Sequence, residues 1–225
     1  CAGVLLSSAI CACAGSTINA ANRYAFGANI GWIDARGDIT NGAALGQSYC
    51  TGYLWGANVG WIGLGNGPAN GWQYSNASGA DWGVNHDGSG NLTGYAYGAN
   101  IGWLNFEQSY GQPKIDLLTG TLRGYVWSAN VGWISLSNAF AHVQTDVLAI
   151  GPDTDGDGIP DAWEYRRAGK LSLLGMRPAD ADGDGAPDAD EYGADTDPMD
   201  SNSRFAVVDY ERSASSNAVT WTVSP

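Results

Sequence analysis

The sequence predicts a mainly β protein built on a repeat array of short strands, solenoid- or sandwich-like, and three observations predict it. First, a nine-residue block occurs four times: Tyr24-Ala-Phe-Gly-Ala-Asn-Ile-Gly-Trp32, Tyr53-Leu-Trp-Gly-Ala-Asn-Val-Gly-Trp61, Tyr95-Ala-Tyr-Gly-Ala-Asn-Ile-Gly-Trp103 and Tyr125-Val-Trp-Ser-Ala-Asn-Val-Gly-Trp133. The closing tryptophans are 29, 42 and 30 residues apart, a period that marks a repeat architecture. Second, the 225 residues include 10 Trp, 11 Tyr and 33 Gly. Aromatics suit pleated, half-buried surfaces and glycine supplies tight turns. Third, apolar residues alternate with small or polar ones at period two through the blocks, the strand signature.

Taken in order, residues 1–21 read as an export-signal remnant or an apolar N-terminal strand. Residues 2–14 are an apolar stretch in which Ala12-Cys13-Ala14 has the form of a small-residue cleavage site. The cysteines are Cys1, Cys11, Cys13 and Cys50; three crowd the start, so they outline no distributed disulfide framework. Cys50 is expected to be simply buried. Residues 22–150 form the four-repeat array. In each unit a strand carries the Tyr end of the block, Gly-Ala-Asn turns the chain, and a second strand follows. The later units add a strand in front, near Val84 and Lys114. Asn29, Asn58, Asn100 and Asn130 are read as turn chemistry, because Asn tolerates left-handed angles and bonds its own backbone. The repeated tryptophans are expected in the core, aligned in columns at strand spacing. Residues 65–83 read as a loop insertion whose Trp72 and Trp82 either cover an end of the core or grip a sugar ring. Residues 204–225 read as a C-terminal β-hairpin. It is taken either as part of an incomplete domain or as an inter-subunit donor strand.

Charge is unevenly placed. The net charge is −13, and residues 151–203 hold 14 acidic against four basic groups. So few cations argue against nucleic acid or an anionic membrane as partner, and no apolar run is long enough to span a membrane. The acidic block has an order of its own. Asp153, Asp155, Asp157, Ile159, Asp161 and Glu164 stand at positions 1, 3, 5, 7, 9 and 12 of a twelve-residue loop with Gly158 at position 6. Asp180, Asp182, Asp184, Ala186, Asp188 and Glu191 repeat the pattern around Gly185. Carboxylates at 1, 3 and 5 wrap a hard cation, glycine at 6 permits the bend, and the carbonyl at 7 adds a ligand. Position 9 acts directly or through water, and Glu at 12 closes the site with both oxygens. Hard oxygen donors without His or Cys select calcium, so at least two Ca2+ ions are expected. Asp195, Asp197 and Asp200 form a weaker continuation that adds further candidate ligands.

The two loops resemble thrombospondin type 3 and dockerin-like calcium repeats, in which a short helix follows each loop. The resemblance covers about 50 residues and implies half-helices at 162–168 and 189–193. The paired recognition residues of dockerins are not present in recognisable form. The Gly-Ala-Asn-Ile-Gly-Trp array is similar to repeats of bacterial secreted proteins without assigned chemistry. Together these resemblances imply a secreted, extracellular or cell-surface location in a bacterium. No nucleophile elbow, phosphate loop or Cys–His pairing occurs, and His86 and His142 stand in no metal-spaced motif. Asp34, Glu107 and Asp116 are carboxylates outside the acidic block, set in no recognisable motif. The expectation is a non-enzymatic, calcium-binding structural protein of a surface or biofilm matrix, assembling with itself into filaments by strand complementation. The alternative is a carbohydrate-binding or adhesion module whose partner is a polysaccharide.

Overall fold

Each nine-residue block folds into one β-hairpin. The computed structural model describes residues 15–212 and 217–223. The expectations for residues 1–14, and for part of the C-terminal turn, lie outside these described residues. The first strands are β1 (Ile18–Gly27), β2 (Gly31–Asp34), β3 (Ala44–Leu45), β4 (Cys50–Thr51), β5 (Tyr53–Gly56), β6 (Gly60–Gly63) and β7 (Val84–His86). They continue as β8 (Leu92–Gly98), β9 (Gly102–Asn105), β10 (Lys114–Ile115), β11 (Leu122–Arg123), β12 (Tyr125–Ser128), β13 (Gly132–Ser135) and β14 (Val143–Thr145). The hairpins are β1–β2, β5–β6, β8–β9 and β12–β13, each antiparallel.

The hairpins pair side by side, and β13 returns to pair with β1. The result is a closed eight-stranded antiparallel barrel, not an open solenoid or a two-sheet sandwich. The physical reason lies at the seams. Equivalent residues of successive hairpins pair in one register, as in Ile33 with Gly56, Ile62 with Gly98 and Gly27 with Ile134. A sheet twisted by the same amount at each seam comes round on itself, which removes its edges.

Closure also decides which residues are core. An eight-stranded barrel has room inside only for side chains that fill it, and four tryptophans in one layer do not fit. Ile33, Ile62, Leu104 and Ile134 point inward and are buried, whereas Trp32, Trp61, Trp103 and Trp133 are 48, 45, 46 and 41 % exposed. The expectation of a tryptophan core is thus corrected: the aromatic positions form an outer belt. Within each hairpin the rings directly opposite one another pack at 4.7–4.9 Å between centroids. The inner core continues beyond the nine-residue blocks through Ile18, Leu45, Leu64, Val84, Leu92, Phe106, Leu136 and Val143. Cys50 is fully buried there, and burial pushes its thiol up to about 12.

The turn asparagines work differently from the expectation. Left-handed geometry is supplied by the glycine after the loop, Gly31, Gly60, Gly102 and Gly132, at φ 74–79°. The asparagine amides instead reach across the seams. Asn58 Nδ2 donates to the Ile30 carbonyl at 3.0 Å, Asn100 to Val59 at 3.0 Å, Asn130 to Ile101 at 2.9 Å, and Asn29 to Val131 at 3.1 Å. Each hairpin is tied to its predecessor, and the first to the last, in a closed ring. Asn58→Ala is therefore expected to lose about 1 kcal/mol in denaturant unfolding. Asn58→Asp should lose more at neutral pH, because a carboxylate would face a carbonyl oxygen, and should recover at low pH. Equal losses at both pH values would refute this role.

The residue before each Tyr is also structural. Gly52, Gly94 and Gly124 have φ of 81°, 91° and 86°, a conformation that favours glycine. The first repeat has Arg23 instead, whose guanidinium bonds Tyr24 and pairs with Asp34 at 3.3 Å. Residues 65–83 contain no named strand, and Trp82 packs from this insertion against Tyr97 and Trp103. Trp82 thus covers the outer aromatic belt, not an end of the core.

The chain divides after Gly151 into a second compact unit. It contains helix α1 (Asp161–Ala168), a short 3-10 turn at Leu171–Leu173, helix α2 (Asp188–Ala194), and strands β15 (Phe205–Arg212) and β16 (Asn217–Val223). The last two pair with each other as an antiparallel two-stranded sheet. No helix among the described residues is long and apolar enough to cross a membrane.

Candidate metal centre

Proline opens both helices. Pro160 and Pro187 are extended residues that fix the entry to α1 and α2, and their missing N–H costs a helix start nothing. Asp161 and Glu164, then Asp188 and Glu191, fall in the first turns, where the helix dipole favours negative charge. Gly169 ends α1 in the left-handed conformation at φ 75°. A small core of Ile159, Trp163 and Leu174 lies between the helices, with Trp163 edge-on to Tyr192 at 5.4 Å. The residue at loop position 7 therefore has two jobs: the Ile159 side chain anchors this core while its carbonyl remains on the loop.

Each loop is wound around its first aspartate. Asp153 accepts the Gly156 and Gly158 N–H groups at 2.8 and 3.0 Å, and Asp180 accepts those of Gly183 and Gly185 at 2.7 and 3.0 Å. Asp157 and Asp184 each take the N–H two residues on at 2.8 Å. These bonds draw one carboxylate oxygen each of Asp153, Asp155 and Asp157 within 4.8 Å of one another, and likewise Asp180, Asp182 and Asp184.

The decisive groups sit beneath these clusters. Glu164 and Glu191 are 0 and 1 % exposed. Both carboxylate oxygens of Glu164 have no hydrogen-bond donor, nor do Oε2 of Glu191 and Oδ2 of Asp157 and Asp182. An uncompensated buried carboxylate is costly and shifts its pKa to stay neutral. Burial, reinforced by Asp155, Asp157, Asp161 and Asp153, pushes Glu164 up to about 8. Burial, with Asp182, Asp184 and Asp188, pushes Glu191 to about 7 against the opposing bond from Thr196. Asp155 and Asp182 are also raised, first by burial and also by neighbouring carboxylates. Three donor-less oxygens in the first loop and two in the second leave each all-oxygen loop with groups that a divalent cation would satisfy.

Position 9 has a part in the fold of each loop. Asp161 accepts the N–H of Thr154 at 2.7 Å and its hydroxyl at 2.5 Å, while Asp188 accepts the N–H groups of Ala181 at 2.8 Å and Gly175 at 3.0 Å. Both aspartates are buried and staple the loop entry to the helix. Asp195 and Asp197 pair with Arg167 at 3.3 and 3.4 Å, and Asp200 accepts the Asn202 N–H at 3.0 Å. The structure brings none of these three into the carboxylate clusters.

The other polar candidates are dispersed on the barrel unit. His86 is buried between the Gly46 carbonyl at 3.0 Å from Nδ1 and the Gly90 N–H at 3.1 Å from Nε2, so Nδ1 carries the proton. Asp34 pairs with Arg23, and Asp116 with Arg123 at 3.1 Å. Glu107 accepts the Gly111 N–H, and those of Tyr110 and Ser109, which hold its carboxyl below the usual range against the opposing effect of burial. Sequence reasoning missed a groove beside Trp61, formed with Tyr53 and the loop Asp38-Ile-Thr-Asn41. The signal was present as an Asx-type turn at Asp38 to Asn41, but its last residue lies twelve residues ahead of the Tyr block it meets. Comparison with known proteins finds no matching family model, no matching curated protein and no matching solved structure.

Proposed function

We propose that this chain is a non-enzymatic, extracellular calcium-binding structural protein in which the helical loops order around two Ca2+ ions and the barrel serves as a rigid body. The observation that carries the reading is the pair of buried Glu164 oxygens without a donor, at the loop position that closes a calcium site bidentately. The all-oxygen donor set favours calcium over zinc or copper. Affinities of roughly 10⁻⁴ to 10⁻³ M are typical of extracellular modules, which suits a secreted or surface location.

We also propose that the chain assembles with itself by strand addition. A closed barrel offers no edge for such growth. The two-stranded β15–β16 sheet does have edges, and main-chain bonding there would add copies heterologously into a filament. Electron microscopy and sedimentation in calcium test this. Fibres are expected from the full chain, and deletion of residues 218–225 should leave a folded, calcium-binding monomer. A strictly monomeric full chain at high concentration would overturn assembly. Failure to bind calcium in a titration would overturn the metal reading.

A further inference from the structure

We propose that the groove beside Trp61 on the outer face of the barrel binds one pyranose unit of a neutral polysaccharide. The groove has a volume of about 350 Å³ and is lined by Asp38, Asn41, Tyr53 and Trp61, within the size range of small-molecule sites. The two rings are prepared for contact. Trp61 is held edge-on by Tyr53 at 6.3 Å and flanked by Trp55 at 4.7 Å, yet 45 % of its surface stays exposed. Its indole is thus oriented before any ligand arrives, which lowers the ordering cost of binding.

The polar side of the groove is equally fixed. The Tyr53 N–H donates to the Asn41 carbonyl at 2.8 Å and locks the loop to the strand. Asp38 Oδ1 accepts the Thr40 and Asn41 N–H groups at 2.7 and 3.2 Å, and Oδ2 accepts Asn41 Nδ2 at 2.7 Å. These bonds, led by the one from the Asn41 side chain, hold the Asp38 carboxyl below its usual range. The groove therefore joins an aromatic platform to an ionised acceptor and the remaining Asn41 amide oxygen.

That combination selects the ligand. A pyranose has an apolar C–H face to lie on the indole and a rim of hydroxyl donors for the carboxylate. Phosphates and acidic sugars are disfavoured, because the groove offers a carboxylate and no cation, on a chain of net charge −13. A place across a bilayer fits poorly as well. Most hairpin strands have four residues and reach about 13 Å, under half the thickness of a bilayer core. This inference rests on the barrel unit and is independent of the calcium reading.

The test is a calorimetric titration of the full chain in calcium with cellohexaose, chitohexaose and mannohexaose. At least one should bind saturably and quench tryptophan fluorescence. Trp61→Ala should weaken that binding at least tenfold. Trp61→Phe, which keeps a ring, should lose less, and Trp32→Ala on the first hairpin should leave it unchanged. Binding by none of the three sugars would overturn the proposal, as would equal losses from Trp32→Ala and Trp61→Ala. Vesicle binding or self-association abolished by Trp61→Ala, without sugar binding, would reassign the groove and also overturn it. If Trp61→Ala fails to melt cooperatively, the Trp61→Phe titration decides: binding equal to the unsubstituted chain, or none, refutes the platform.

Discussion

Chelating calcium at pH 8 is expected to melt residues 152–203 and open them to protease while the barrel stays folded. Ion binding that forms the site is also folding free energy. Without the ion, Glu164 and Glu191 remain buried among the aspartates of their own loops. Both have folded pKa values raised to about 8 and about 7. Between the ordinary carboxylate range and these values the folded form binds more protons than the unfolded chain. Its ion-free stability therefore falls as pH rises through that window. Chelation should thus do most damage at pH 8 and least near pH 5, where protonated glutamates take the place of the ion. Glu164→Gln should lessen the pH dependence in chelator while weakening calcium binding. Limited proteolysis and calorimetry in calcium and in chelator, at both pH values, measure this. Unchanged protease resistance of 152–203 in chelator at pH 8 would refute it.

Gly94→Ala is expected to cost the barrel roughly 3 kcal/mol or more, from a strained backbone and a hard clash together. Gly94 has φ 91°, and a Cβ there would lie 2.3 Å from the Gly83 carbonyl oxygen. That oxygen already accepts the Tyr95 N–H at 3.0 Å, so it cannot retreat without breaking the bond. Gly52 and Gly124 would meet the carbonyls of Gly42 and Gln112 at the same 2.3 Å. Arg23 occupies the matching place in the first repeat. Arg23→Ala removes partly exposed contacts to Tyr24 and Asp34 and should cost under about 1 kcal/mol. Denaturant unfolding of the two variants compares them directly, and a Gly94→Ala loss as small as that of Arg23→Ala would defeat the argument.

The sequence alone determined what is local. The Tyr-to-Trp blocks and the Gly-Ala-Asn turns become hairpins because strand alternation and turn chemistry act within about ten residues. The two twelve-residue loops and the helices behind them are legible for the same reason. Spacing sets which carboxylates converge, and proline and glycine mark where the chain bends. The C-terminal hairpin was likewise readable, and β15 pairs with β16.

Tertiary structure decided what depends on partners distant in the chain. Trp61 and Ile62 are neighbours of similar apolar character, and period two says only that they face opposite ways. The narrow lumen of a closed barrel then sends the branched side chain in and the indole out. Closure itself rests on β13 meeting β1 and on Asn29 reaching Val131 across 102 residues, neither of which leaves a local mark. Position 9 of the calcium loops shows the same limit. Its carboxylates match a ligand pattern, and only the fold shows that Asp161 and Asp188 also accept backbone N–H groups, because a buried donor must be satisfied by whatever acceptor the fold brings near.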